Sequence, residues 1–213
     1  MKVLLYGGTF DPPHVGHLNN LRASIAAVRP DRVIVMPAGT PPHKAASTTP
    51  AELRYAMCDC FRALGEQVEI SRWEIDQGGR SYTIHTLEML HRRWPEAELY
   101  LCVGSDMLTS FTQWMRWQDI LALATLVVQS RAPGEGDALH RAAADLQAQG
   151  GRILFADARP VPCASRDIRA GRYTGAALEA LLPPPVGQII RENRLYQPPA
   201  GDGETERKNS HDL

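Results

Sequence analysis

The sequence predicts an α/β protein built on a parallel sheet with helices on both faces, and three observations carry that expectation. Six short runs rich in Val, Ile and Leu (residues 3–6, 32–36, 68–71, 99–103, 125–129 and 153–156) are spread along the chain. The segments between them carry helical spacing and helix punctuation, and strands that alternate with helices form parallel sheets covered on both sides. The composition, 44% hydrophobic and 22% charged over 213 residues, fills one sizeable core but not two comfortable domains. Residues 1–197 are therefore expected to form a single domain. Residues 198–213 have almost nothing to bury and are expected to be a disordered tail.

The elements justify themselves in order. Met1-Lys2 leads straight into the first apolar run, which ends at Gly7-Gly8. That run is too short for a signal peptide and lacks a small-residue cleavage site, so it reads as a core strand. Thr49-Pro50-Ala51-Glu52 offers an N-cap, a proline at the first helical position and a capping-box glutamate. Cys58 and Cys60 lie two apart on a predicted helix and point away from each other. With Cys102 and Cys163 they read as buried reduced thiols, which implies a cytoplasmic address. Ser165 before residues 166–170, with Gly171 after them, brackets a short helix with a cap at each end.

Some function classes are excluded at this level. No apolar run approaches the roughly 20 residues of a membrane span, and a net charge of -1 gives no global field to attract nucleic acid. Anion binding would have to come from a local cluster. Open parallel sheets bind ligands at the carboxyl ends of their strands, so the loops after the apolar runs are the places to search.

The first of these loops is Gly7-Gly8-Thr9-Phe10-Asp11-Pro12-Pro13-His14-Val15-Gly16-His17-Leu18. Two glycines allow a sharp turn and a close approach to a ligand, and Asp11 with two prolines makes a stiff one. His14 and His17 fall at the start of the next helix, where free N–H groups and the helix dipole favour anions. At i and i+3 both imidazoles can face one ligand, with Gly16 leaving room for phosphate oxygens. The pair could also ligate a metal, although no third Cys, His or carboxylate is close in sequence. A dinucleotide loop is excluded, because Gly-x-Gly-x-x-Gly is absent.

This unbroken segment resembles the signature of the HxGH nucleotidyltransferases. The resemblance implies a Rossmann-like doubly wound parallel sheet. It also implies that His14 and His17 contact ATP phosphates, with Gly8, Thr9 and Phe10 in the same ATP-binding loop.

Further segments resemble the nicotinate mononucleotide adenylyltransferases within that superfamily. Pro37-Ala38-Gly39-Thr40-Pro41-Pro42-His43-Lys44 matches their Pro-rich loop, in which Lys44 delivers a point charge to phosphate. Ser81-Tyr82-Thr83-Ile84-His85-Thr86-Leu87 matches a segment in which the residue at Thr83 holds the nicotinate carboxylate; Thr83 could equally be a helix N-cap. Gly104-Ser105-Asp106 matches Gly-x-Asp, with Asp106 accepting from ribose hydroxyls or acting only as a cap. In residues 111–121 the resemblance puts Trp114 on the pyridine ring beside Met115, with Trp117 as a packing alternative. Cys163-Ala164-Ser165-Arg166-Asp167-Ile168-Arg169 is a degraded match. It keeps Ser165 and Arg169 for the outer phosphates and puts Arg166 where threonine is usual, either as another phosphate contact or turned to solvent. Residues 182–196 resemble the family's ending.

The resemblance implies adenylyl transfer from ATP to nicotinate mononucleotide, giving nicotinate adenine dinucleotide and pyrophosphate, a step of NAD biosynthesis. The catalytic set would be His14, His17, Lys44 and Arg169, with Mg²⁺ bridging the phosphates. Other acceptors, nicotinamide mononucleotide or phosphopantetheine, stay open, as do a non-catalytic nucleotide sensor and a homo-oligomer.

Overall fold

The computed structural model describes residues 1–40, 49–129, 136–157 and 161–196. All six expected strands form: β1 (Lys2–Gly8), β2 (Arg32–Pro37), β3 (Val68–Ile70), β4 (Glu98–Gly104), β5 (Ala124–Gln129) and β6 (Arg152–Ala156). They make one parallel sheet in the order β3-β2-β1-β4-β5-β6. The chain first builds outward from β1 to β3 and then restarts on the other side at β4, so the order reverses between β1 and β4. At such a reversal the loops leave toward opposite faces and open a crevice at the carboxyl ends of the strands.

Between the strands run α1 (Val15–Val28), α2 (Ala51–Met57), α3 (Trp73–Gln77), α4 (Thr83–Arg93), α5 (Ser105–Leu108), α6 (Trp117–Leu123) and α7 (Gly136–Ala148). After β6 come α8 (Ser165–Arg169), α9 (Gly175–Leu181) and α10 (Pro184–Glu192). Residues 58–64 and 111–113 are single stretches of 3₁₀-helix.

The alternation along β1 shows why both faces are covered. Val3 and Leu5 join one buried cluster with Ile84, Leu87 and Leu90 of α4, Ile120 and Leu121 of α6, and Leu139 and Leu146 of α7. Leu4 and Tyr6 point the other way, into a cluster with Leu21 and Val28 of α1, Met57, Phe61, Ile168 and Val186. Each fully buried Leu, Ile, Val or Met contributes about 1.5–3 kcal/mol relative to exposure. Both layers are needed, because a strand apolar on both faces cannot leave either one in water.

Several cap expectations change. Pro50, not Thr49, is the N-cap of α2, and no side chain caps that helix. Glu52 instead makes a bidentate pair with Arg72 at 2.7 and 2.8 Å. Ser165 is the first residue of α8, behind an Ala164 cap, and its hydroxyl donates to the Pro12 carbonyl at 2.9 Å rather than to its own helix. Gly171 does end that helix with a positive φ of 68°. All four cysteines are free thiols; Cys58, Cys60 and Cys102 are buried, whereas Cys163 is only half-buried. Burial pushes Cys60 and Cys102 up to about 12 and Cys163 up to about 11. No helix among the described residues is long and apolar enough to cross a membrane. Lys44, the rest of residues 41–48, and residues 198–213 lie outside the described residues.

Candidate active site

The loops and helix starts that follow the strands carry most of the residues singled out in the sequence. Directly after β1 the chain folds back on itself: Phe10 takes a positive φ of 51° and is only 2% exposed. Its ring fills the space over Gly8, where a Cβ would lie 2.8 Å from it. Phe10 packs on Phe61 and Tyr6 and meets His17 edge-on, with centroids 5.4 Å apart. Its side chain is therefore part of the core, and it braces one of the two histidines.

His14 is the N-cap of α1 and His17 its third residue. The two rings lie with centroids 3.8 Å apart and a tilt of 40°. His14 Nδ1 accepts from the Gly16 N–H at 3.2 Å, and His17 Nδ1 accepts from the His14 N–H at 3.2 Å. The pair thus forms a reciprocal capping box in histidine form. With each Nδ1 accepting, the neutral rings carry their proton on Nε2, so both present an N–H donor, an assignment that follows from the bond pattern. Gly16 serves the histidines directly: a Cβ there would sit 3.0 Å from the His14 ring. The missing Cβ is what lets the imidazole pack over this turn.

The other phosphate-side residues reach the same loop. Arg169, from the end of α8, donates from Nη1 to the Asp11 carbonyl at 2.6 Å, and its Nε lies 3.9 Å from Asp11 Oδ2. Ser165, one turn earlier, holds Pro12. Arg166 is exposed, with 82% of its side chain accessible, and its Nε lies 3.7 Å from Asp167 Oδ1. Thr9 is half-buried, and its carbonyl accepts from Arg54 Nη1 at 2.9 Å.

Across the crevice, Gly104 ends β4 and caps α5, so Asp106 is not that helix's cap. Asp106 lies exposed on the first turn, and its carbonyl accepts from the Thr109 hydroxyl at 3.0 Å. Thr83 is the first residue of α4, and Tyr82 is the N-cap, with no side chain capping the helix. The α4 N-terminus thus presents backbone N–H donors beside Thr83, which suits an anionic group. Trp114 is half-buried with its ring 5.1 Å from Phe111, Met115 is 43% exposed, and Trp117 packs against the core.

A family model described as cytidylyltransferase-like matches residues 5–171. A protein of Gemmatimonas aurantiaca named probable nicotinate-nucleotide adenylyltransferase is 36% identical over 211 residues, which cover 97% of this chain and 98% of the relative. The chain belongs to the nicotinate-nucleotide adenylyltransferase family. A Mycolicibacterium gilvum member of the same name is 36% identical over 203 residues, covering 93% of this chain and 98% of the relative. The fold is also that of the Plasmodium falciparum nicotinic acid mononucleotide adenylyltransferase complexed with APC, with a TM-score of 0.72 at 15% identity, covering 92% of this chain and 96% of the other. The same enzyme complexed with NaAD gives a TM-score of 0.70 at 14% identity, covering 92% and 97%.

Three residues of this family member were not picked out in the sequence. Arg54 is 2% exposed, yet it carries a guanidinium. It donates to four backbone carbonyls: Thr9 at 2.9 Å, Ala38 at 2.7 Å, Gly39 at 3.0 Å and Thr49 at 3.3 Å. Burial pulls its pKa down, and the Asp11 carboxylate opposes that. Arg54 thereby ties the first loop to the end of β2. Glu74 accepts from the Thr86 hydroxyl at 2.6 Å and bonds Ser81, whose Oγ accepts from the Gly39 N–H at 3.0 Å. A Cβ on Gly39 would meet the Glu74 carbonyl at 2.5 Å, so only glycine lets β2's end pass α3. Arg116 takes a positive φ of 53° and bridges Glu88 of α4 and Asp119 of α6 at 2.7 and 2.6 Å, fixing the tryptophan segment against α4. A lone arginine or glutamate in a helix carries no signal of such partners.

Proposed function

We propose that this chain transfers the adenylyl group of ATP to nicotinate mononucleotide, releasing pyrophosphate and nicotinate adenine dinucleotide. The observation that carries the proposal is the paired imidazoles at the start of α1, each with Nδ1 accepting and Nε2 left as the donor. A phosphate oxygen of the mononucleotide attacks the α-phosphorus. The bond from that phosphorus to the bridging oxygen breaks, and pyrophosphate leaves with the electron pair.

The attacking phosphate has a second pKa near ~6 and is largely dianionic at pH 7, so it needs no general base. What the reaction needs is alignment of two anions and stabilisation of the charge that develops on α-phosphate and leaving group. His14 and His17 donate to the α-phosphate, Arg169 and Ser165 hold the outer phosphates, and Lys44 adds charge from the loop after β2. Gly8 and Thr9 line the first loop, and Gly104 and Asp106 take the ribose. Thr83 with the α4 N–H groups receives the nicotinate carboxylate, and Trp114 with Met115 covers the pyridine ring. That carboxylate fits a helix N-terminus, where an amide would need an acceptor as well.

Mg²⁺ enters as MgATP. Among the described residues no group of three His, Cys, Asp or Glu side chains gathers to hold a metal. A hard cation of this kind takes oxygen ligands and keeps several waters; carried in with ATP, it would supply charge neutralisation along the triphosphate.

The test is pyrophosphate release with MgATP and each of three acceptors: nicotinate mononucleotide, its nicotinamide analogue and phosphopantetheine. Release with the nicotinate substrate, at least tenfold above the others in kcat/KM, is expected. Preference for another acceptor would overturn the roles of Thr83 and Trp114. Silence with all three would overturn the catalytic reading.

A further inference from the structure

Asp11 is 3% exposed, and its two carboxylate oxygens face different partners. Oδ1 accepts from the Tyr196 hydroxyl at 2.6 Å. Oδ2 makes a long ion pair with Arg169 Nε at 3.9 Å, beyond hydrogen-bond distance. The Thr49 hydroxyl donates to Tyr196 Oη at 3.4 Å, which leaves the tyrosine's own proton for Asp11. Burial, and then the Asp11 bond, push the Tyr196 hydroxyl well up, so it remains a donor throughout the physiological range. Tyr196 follows α10 and Leu195, and it reaches 185 residues back along the chain to the loop before α1.

The chemistry makes Asp11 a rival of the nucleotide. A guanidinium pairs bidentately with carboxylate and with phosphate by the same fork of N–H donors. Arg169 already holds the Asp11 carbonyl at 2.6 Å, so a carboxylate turned further toward it would tighten the 3.9 Å ion pair into a hydrogen-bonded one. The phosphates would then have to break that pair to bind. A carboxylate that has committed one oxygen to a short bond with a neutral hydroxyl is held in one orientation and offers the guanidinium less.

We propose that Tyr196 is a positioning residue for ATP binding: its hydroxyl keeps the Asp11–Arg169 ion pair at its long 3.9 Å separation and so leaves the Arg169 guanidinium to the phosphates. The proposal rests on the assignment of Arg169 to the outer phosphates made above. It does not depend on which acceptor the enzyme uses.

Titration calorimetry with MgATP tests it on Tyr196→Phe, Asp11→Asn and the double variant, with Arg169→Ala as control. Tyr196→Phe is expected to weaken MgATP about tenfold or more, the worth of one charge-assisted hydrogen bond. Adding Asp11→Asn should return affinity to within about twofold of Asp11→Asn alone, because the rival carboxylate is gone. A purely structural tyrosine would give losses that add, and that result would overturn the proposal, as would unchanged affinity in Tyr196→Phe. Should Asp11→Asn fail to fold, the Arg169 Nε–H resonance of nucleotide-free Tyr196→Phe decides the matter. Slowed exchange with water supports capture by Asp11, and exchange as fast as in the parent protein refutes it. If Arg169→Ala binds MgATP as tightly as the parent, the phosphate assignment itself fails, and that outcome is distinct from the failures above.

Discussion

The two sides of the crevice are built differently. On the first-loop side, the polar groups that set the geometry are buried. Arg54 and Asp11 are 2% and 3% exposed and His14 is 5% exposed; Arg54 donates to backbone carbonyls, His14 accepts from a backbone N–H, and Asp11 accepts from the Tyr196 hydroxyl. On the α4 side, the tryptophan segment is held by Arg116, whose side chain is 48% exposed, pairing with Glu88 and Asp119, and by a half-buried aromatic contact. Exposed pairs of this kind contribute little, about 0–1 kcal/mol. The contrast teaches where precision is needed. In the proposed reaction the first-loop side holds donors fixed for a transition state, which rewards preorganisation. The α4 side, in that proposal, has only to bind a flat ring and its charge, and a looser mounting serves.

The largest effect expected to sharpen this contrast is at Arg54. Replacing it by Met removes the charge that faces Asp11 and leaves four backbone carbonyls without their donor. Urea unfolding should show a loss of about 3 kcal/mol or more. A change under about 1 kcal/mol would mean that the hub is not what fixes the first loop.

Next comes Trp114. Its replacement by Ala should raise the KM for nicotinate mononucleotide about tenfold, the scale of a ring stacked under a cationic pyridinium, and move the KM for ATP less than about twofold. Parallel rises in both would place Trp114 in the packing of the site and not against the acceptor.

The smallest effect is a pH dependence at Glu74. Burial raises its carboxyl pKa, against the lowering bonds of Thr86 and Ser81. A group with a raised folded-state value stabilises the protein below its unfolded value, near ~4.3, and loses that contribution as pH rises through the folded value. Glu74→Gln lacks this loss. The difference in melting temperature between the variant and the parent should therefore move in the variant's favour as pH climbs from about 4 toward neutrality. Parallel curves would show that the carboxyl does not titrate abnormally.

The same contrast marks what the sequence made legible. The strands were readable because runs such as 3–6 and 99–103 are apolar on both faces, a pattern that only a doubly covered parallel strand satisfies. The histidine pair was readable because i, i+3 spacing at a helix start leaves few geometries, and the rings do lie 3.8 Å apart. The second half of each capping interaction was not readable. Ser165 and Glu52 have the residue types of caps, but their bonds go to Pro12 and Arg72, partners that are distant in sequence. Arg54 and Tyr196 act through contacts 45 and 185 residues away, and no local pattern encodes those. The contact between Gly16 and the His14 ring is of the same kind, since only the structure shows the imidazole packed where a Cβ would be.

The most direct measurement is the turnover of a folded His17→Ala variant, its fold checked by circular dichroism and its melting temperature. If His17 Nε2 stabilises the α-phosphate in the transition state, kcat for pyrophosphate release should fall by about 10²–10³ while the KM for ATP changes little. A folded His17→Ala that keeps kcat within a few-fold of the parent would contradict the account at its centre.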